Sequence, residues 1–110
     1  MVTIYGNPPS KSNTYKIGRN RLYKTKETKQ FEQDFLYQLP KRKMIDTEFM
    51  LVIDFYIDKR KDLDNCLKVV LDCLQTAEWI KNDNLCMRID AKKIVSKEKK
   101  IIFEIETIND

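Results

Sequence analysis

Residues Phe49–Ile57, FMLVIDFYI, are apolar, aromatic or β-branched at every position except Asp54. Such a run reads as a largely buried central strand, and it falls well short of the roughly 18 apolar residues that a membrane span needs. The next twenty residues narrow the fold further. Residues 58–61 are a charged break, and from Leu63 to about Thr76 the apolar residues recur at helical spacing, with Leu63, Cys66, Leu67, Val70, Leu71 and Leu74 within one face. A second, weaker helix is expected over 25–39, where Phe31, Phe35, Leu36 and Leu39 share a face before Pro40 ends the run. Residues 2–5, 87–95 and 101–108 read as further strands, and 6–23 as a long polar loop. The expectation is an α/β (α+β) fold, a mixed sheet of about four strands covered by two main helices, in one domain spanning 1–110.

Composition restricts the chemistry. With 42% hydrophobic and 35% charged residues and only 2 Gly and 3 Pro, the 110 residues have material for a core and little in common with disordered sequences. No secretory signal pattern opens the chain, so the expected compartment is the cytoplasm. Three cysteines, an odd number in a chain large enough to pack without staples, point to reduced thiols, and Cys66, Cys73 and Cys86 read as small buried hydrophobes. There is no histidine. That removes Ser-His and Cys-His nucleophile pairs, His-bearing zinc sites and the usual neutral-pH base, leaving carboxylates, lysines and bound metal.

The net charge of +4 is modest, but its distribution is uneven. Residues 11–29 hold seven cations, Lys11, Lys16, Arg19, Arg21, Lys24, Lys26 and Lys29, against the single anion Glu27. Lys-Arg-Lys triplets occupy 41–43 and 59–61, and Lys92, Lys93, Lys97, Lys99 and Lys100 crowd a late segment. Such a surface suits a polyanion such as nucleic acid, and on charge alone it suits a solvated lysine-rich surface equally well.

Chemistry concentrates at the second helix. Asp64, Lys68 and Asp72 stack at i, i+4 and i+8 on its polar face, which by itself describes ordinary intrahelical ion pairs with Asp62 or Asp64 as N-cap. The buried strand, however, delivers Asp62 and Asp64 together beside Lys59-Arg60-Lys61. Crowded carboxylates repel unless a cation sits between them, and Mg²⁺ is commonly held by one or two carboxylates with substrate phosphate and water. Asp83, in Lys81-Asn82-Asp83-Asn84, is a third candidate that also reads as a turn residue. No segment matches the calcium-binding EF-hand loop.

Taken together, Asp62-Leu63-Asp64-Asn65 with Lys68, Asp72 and Leu74, then Asn82-Asp83, resembles the RusA family of Holliday junction resolvases. Asn7-Pro8-Pro9-Ser10-Lys11-Ser12-Asn13 is similar to that family's Pro-Pro-Ser-x-Asn opening, and Lys93 falls where the family carries a lysine on the following strand. The resemblance runs from about Tyr5 to Ile105. It implies a RusA-like fold and a small homodimeric, Mg²⁺-dependent endonuclease of bacteria or their phages that resolves four-way DNA junctions by symmetric nicks, in recombination and repair. Mn²⁺ is the alternative ion. The resemblance makes Asp62, Asp64 and Asp83 the metal ligands and Lys68 a catalytic side chain. Asn65, Asp72 and Asn82 become supporting residues. Where the family often has Asp-Asp, Asn82 stands first and carries no charge, leaving Asp83 as the ligand. A bound cation would neutralise a scissile phosphate and lower the pKa of a water, replacing the missing histidine.

The expected DNA contacts are Lys11, Ser12, Asn13, Lys16, Arg19 and Arg21 in the long loop, Lys59, Arg60 and Lys61 beside the acidic cluster, and Lys93. Tyr15 and Tyr23 read as packing residues rather than base-stacking platforms, and Trp79 as core or dimer interface. Two other classes stand beside the nuclease: a junction-binding module without catalysis, suggested by Asn82, and a protein-interaction domain whose charges are only surface.

Overall fold

The computed structural model describes residues 1–10, 15–18 and 21–108. In chain order the elements are β1 (Val2–Tyr5), β2 (Tyr15–Gly18), β3 (Arg21–Lys24), α1 (Lys26–Gln38), β4 (Phe49–Ile57), α2 (Leu63–Thr76), β5 (Cys86–Val95) and β6 (Lys100–Thr107), with a 3-10 turn at Asp83–Leu85. The mixed four-stranded sheet expected from the sequence has the order β1-β6-β4-β5. β4 lies centrally, parallel to β5 and antiparallel to β6, and β1 closes the far edge antiparallel to β6. The parallel pair follows from the chain path, because a helix between two strands returns the chain to the end where the first strand began.

One expectation is corrected. The stretch read as a loop over 6–23 carries the antiparallel hairpin β2–β3, a separate two-stranded sheet that pairs Lys16 with Tyr23 and Ile17 with Leu22. Strands of four residues, half of them basic or glycine, offer too short a period to register in a hydropathy reading.

Alternation along β4 is complete. Phe49, Leu51, Ile53, Phe55 and Ile57 are buried, while Met50, Val52, Asp54 and Tyr56 between them are half-buried. Asp54, the one charge in the run, therefore points to the opposite face, where Lys92 approaches to 4.0 Å. Phe31 and Phe35 of α1 join the buried β4 positions in one hydrophobic cluster, together with Cys66, Val69, Val70, Cys73 and Leu74 of α2. The buried stripe of α2 thus includes Val69 and Cys73, whereas Leu63, Leu67 and Leu71, expected on that face, are half-buried at its margin. The rings of Phe35 and Phe103 stack at 6.2 Å, and Trp79 meets Phe103 edge-on at 5.7 Å.

Two local devices set up the ends of α2. Gly6, at φ +150°, turns the chain out of β1, a conformation that L side chains rarely adopt. Its N–H donates to the Lys99 carbonyl, and Pro8 and Pro9 beyond it are buried. At the other end, Glu78 takes φ 59°. Its N–H donates to the Gln75 carbonyl and that of Trp79 to the Leu74 carbonyl, the paired bonds of a Schellman cap. The Trp79 indole is buried and donates to the Pro40 carbonyl at 2.8 Å, which assigns it to the core.

Candidate functional site

The acidic cluster forms where β4 ends and α2 begins. Asp62 is the N-cap, in extended backbone, yet its side chain makes no capping hydrogen bond. Asp64 lies in the first turn, exposed, with one oxygen accepting from the Asn65 N–H at 2.9 Å. Both carboxylates sit at the positive end of the helix dipole, which favours negative charge there without extracting it from solvent.

The N-terminal Pro-Pro segment is docked onto this same turn. The Lys61 ammonium donates to the Pro8 carbonyl at 2.6 Å, and the Asn65 amide donates to the Pro9 carbonyl at 3.3 Å. The two motifs that carry the family resemblance, some fifty residues apart in sequence, are therefore in contact. Asn65, expected to support a neighbouring carboxylate, reaches the proline segment with its side-chain amide. Beside it lies an open cavity of about 470 Å³ lined by Ser10, Asp58, Lys59, Arg60 and Lys61. Lys59 and Arg60 are exposed, while Lys61 is half-buried.

Asp58 joins the site without any mark in the sequence, where it belongs only to a charged loop. Its carboxylate accepts from the Lys99 ammonium at 2.8 Å. That bond, reinforced by the Lys99 charge, holds the Asp58 carboxyl below the ordinary carboxylate value. The partner comes from the lysine run before β6, more than forty positions away, and no local spacing signals it. Lys93, expected at the DNA, donates to the Lys59 carbonyl at 2.8 Å.

Asp83 occupies a different place. Its N–H donates to the Gln75 side-chain carbonyl at 3.0 Å, which ties it to the C-terminal half of α2. Gln75 lies eleven residues beyond Asp64, about 16 Å along a helix axis. Asn82 caps the 3-10 turn, accepting from the Asn84 N–H at 2.9 Å. Asp72 is half-buried near this end, and burial pushes its carboxyl above the ordinary value. Lys24 and Lys68 pull it down, while Asp83 and Glu32 push it further up. Lys68 is exposed on the polar face between the two ends.

Among the described residues, no group of three or more His, Cys, Asp or Glu side chains could hold a metal ion. Asp62, Asp64 and Asp83 are not gathered into one cluster within the chain. Asp62 and Asp64 alone supply two hard oxygen ligands at an exposed turn, a donor set that fits Mg²⁺ completed by phosphate and water. Of the expected DNA contacts, Lys11, Ser12, Asn13 and Arg19 lie outside the described residues, and Lys16 and Arg21 are described only as backbone positions in the hairpin.

All three cysteines are free thiols. Burial pushes Cys66 up to about 11 and Cys73 up to about 12, and it raises the half-buried Cys86 as well. Thiols held protonated in this way are packing residues rather than nucleophiles. No helix among the described residues is long and apolar enough to cross a membrane.

No curated protein matches the chain at a level that would mark a relative. A family model described as endodeoxyribonuclease RusA matches residues 6–106. That match runs from the glycine that turns the Pro-Pro segment to the end of β6, and so covers both contacting motifs. The chain belongs to the RusA endodeoxyribonuclease family.

Proposed function

We propose that the chain is a divalent-cation-dependent endonuclease that resolves four-way DNA junctions by paired symmetric nicks, in DNA recombination and repair. The observation that carries this reading is the exposed Asp62–Asp64 pair at the start of α2, one side chain uncommitted to capping, set beside the cationic 59–61 turn. Mg²⁺ is the proposed ion, with Mn²⁺ able to replace it. Held by Asp62 and Asp64, the ion supplies charge neutralisation at a scissile phosphate and makes a water more acidic. Lys68, one turn beyond Asp64, is proposed to stabilise negative charge developing on the phosphoryl oxygens, with Asp72 fixing its position. Lys59 and Arg60 hold the strand over the carboxylates and offset their repulsion of DNA.

Asp83 is proposed as the third carboxylate on the strength of the family motif. In one chain its tie to Gln75 separates it from the other two along α2, so its substitution tests the full triad. Two nicks require two sites, which a two-fold homodimer of this single domain supplies. The proposed compartment is the cytoplasm.

The test is a labelled mobile four-way junction incubated with pure protein and Mg²⁺ or Mn²⁺. The expected outcome is paired nicks by wild type and loss of nicking with retained binding in Asp64→Asn and Asp83→Asn. Persistent cutting by the double variant would reject the assignment. Tight junction binding without nicking by wild type would select the inactive binding module. Binding no tighter than to linear duplex at moderate salt would select a protein-interaction domain.

A further inference from the structure

Five cations on or bonded to the 58–61 turn and its surroundings are placed in two different ways. Lys59, Arg60 and Lys61 all line the open cavity, but Lys59 and Arg60 are exposed, whereas Lys61, Lys93 and Lys99 are half-buried. Each of the latter three donates to an oxygen within the chain. Lys61 reaches the Pro8 carbonyl at 2.6 Å, Lys93 the Lys59 carbonyl at 2.8 Å, and Lys99 both the Asp58 carboxylate at 2.8 Å and the Ser96 carbonyl. These lysines come from the turn itself, from β5 and from the segment before β6, and their bonds converge on residues 58–61 and the docked prolines. The turn adds its own bond, from the Lys61 N–H to the Asp58 carbonyl at 3.1 Å. The backbone of 58–61 leads directly into Asp62, so whatever fixes it fixes the entry of the chain into the helix turn that carries both carboxylates.

We propose that Lys61, Lys93 and Lys99 are positioning residues that brace the 58–61 turn, and that only Lys59 and Arg60 among these five meet DNA phosphates. This reading rests on the nuclease assignment and revises the expectation that Lys61 and Lys93 are DNA contacts. An ammonium donating to a main-chain carbonyl is charge-assisted and specific to that geometry. Lys93 holds a main-chain carbonyl of the turn, Lys99 holds its Asp58 carboxylate, and Lys61 ties the turn to the Pro8 carbonyl, whereas a solvated lysine constrains nothing.

Salt dependence separates the two roles, because each phosphate contact contributes about 0.9 to the slope of log affinity against log salt. Lysine-to-methionine variants keep the apolar stem and remove only the ammonium. For Lys59→Met and Arg60→Met the slope for junction binding is expected to fall by about one each. For Lys61→Met and Lys93→Met it is expected to stay at the wild-type value. In those two the nicking rate at saturating protein is expected to fall about ten- to hundredfold, the scale of a small misplacement of reacting groups. Amide exchange at Lys61 and Cys66, whose N–H groups donate to the Asp58 and Asp62 carbonyls, is expected to quicken in the same variants. Lys99→Met gives a further arm should either of them fail to fold. A slope reduced by about one, or exchange at wild-type rate, in Lys61→Met or Lys93→Met overturns the proposal. Should wild type nick no junction with any divalent ion, the nuclease reading fails on its own, while the exchange measurement still decides whether the brace exists.

Discussion

The two ends of α2 carry acidic side chains in opposite company. At the N-terminal end Asp62 and Asp64 are exposed at the positive helix pole, beside cations and an open cavity. Towards the C-terminal end Asp72 is half-buried, facing Lys24, Lys68, Asp83 and Glu32. The Asp83 N–H is tied to Gln75, just before the helix closes in a Schellman cap that leads to the buried Trp79. Main-chain bonds lock this second end. The Ile45 N–H donates to the Trp79 carbonyl at 2.8 Å and the Lys81 N–H to the Ile45 carbonyl at 2.9 Å, sewing the segment before β4 to the helix exit. The helix thus differs between its ends, with exposed carboxylates beside cations at one and main-chain bonds that hold the fold at the other. Substitutions of the exposed carboxylates, Asp83 at the second end included, should alter activity at constant stability, and those in the buried aromatic cluster should alter stability.

The largest effect expected on that division comes from Phe103→Ala. The ring is buried, stacks on Phe35 and receives the edge of Trp79. Removing such a side chain costs about 3–5 kcal/mol through lost burial and the cavity left behind. Chemical denaturation of this variant beside Asp64→Asn makes the contrast measurable. Asp64 is exposed, so its substitution should leave stability within about 0.5 kcal/mol of wild type while lowering nicking by about a hundred- to a thousandfold. A strongly destabilised Asp64→Asn would mean that the N-terminal end is structural as well.

Glu78→Gly should act in the other direction at the same locked end. Glu78 holds φ 59°, where a side chain is strained and glycine is not. Because the paired cap bonds are made by the backbone, they survive the change. The expected gain, about 0.5–1 kcal/mol, is the strain relieved less the extra freedom of an unfolded glycine. The denaturation midpoint checks it, and a loss of stability would show that the Glu78 side chain contributes more than its backbone costs.

Most of the scaffold was legible in the sequence because its elements carry strong periods. The Phe49–Ile57 strand and the Leu63–Thr76 helix have the boundaries their apolar patterns prescribe. Thr25 caps α1 by accepting from the Thr28 N–H, and α1 itself differs from the expected 25–39 only at its capping residues. The β2–β3 hairpin escaped because four-residue strands, half basic or glycine, have no period to read. The site was legible in its composition but less so in its geometry. Asp-x-Asp at a helix start is local information, whereas the bonds from Lys61 to Pro8 and Lys99 to Asp58 depend on how distant segments dock, and that from Asp83 to Gln75 on how the chain turns after the helix. Lysines are the hardest to assign in this way. A long flexible stem lets the same residue type meet a phosphate or a carbonyl, and sequence position alone does not choose between them.

The smallest effect separates the carboxylates of the two ends by pH. At the C-terminal end burial raises the Asp72 pKa above its ordinary 3.8, against the pull of Lys24 and Lys68 and with the help of Asp83 and Glu32. A raised folded value favours the protonated form. Its contribution to stability is complete below pH 3.8 and is lost as pH rises through the folded value, so the ionised carboxylate is a net cost at neutral pH. Asp58, beside the other end, has the opposite sign. Lys99 lowers its pKa, and its contribution is present above 3.8 and lost as pH falls through the depressed value. Asp72→Asn should therefore raise the urea midpoint slightly at pH 7, with the gain disappearing near pH 3, whereas Asp58→Asn should lower the midpoint at pH 7 and converge with wild type in acid. Solvent screening keeps both differences small, since neither group is fully buried. Lys68→Met supplies the sharper form, because removing a cation that favours the Asp72 anion should enlarge the gain from Asp72→Asn. A gain unchanged in that background would mean that Lys68 does not act on Asp72, and its proposed orientation by that carboxylate would be lost with it.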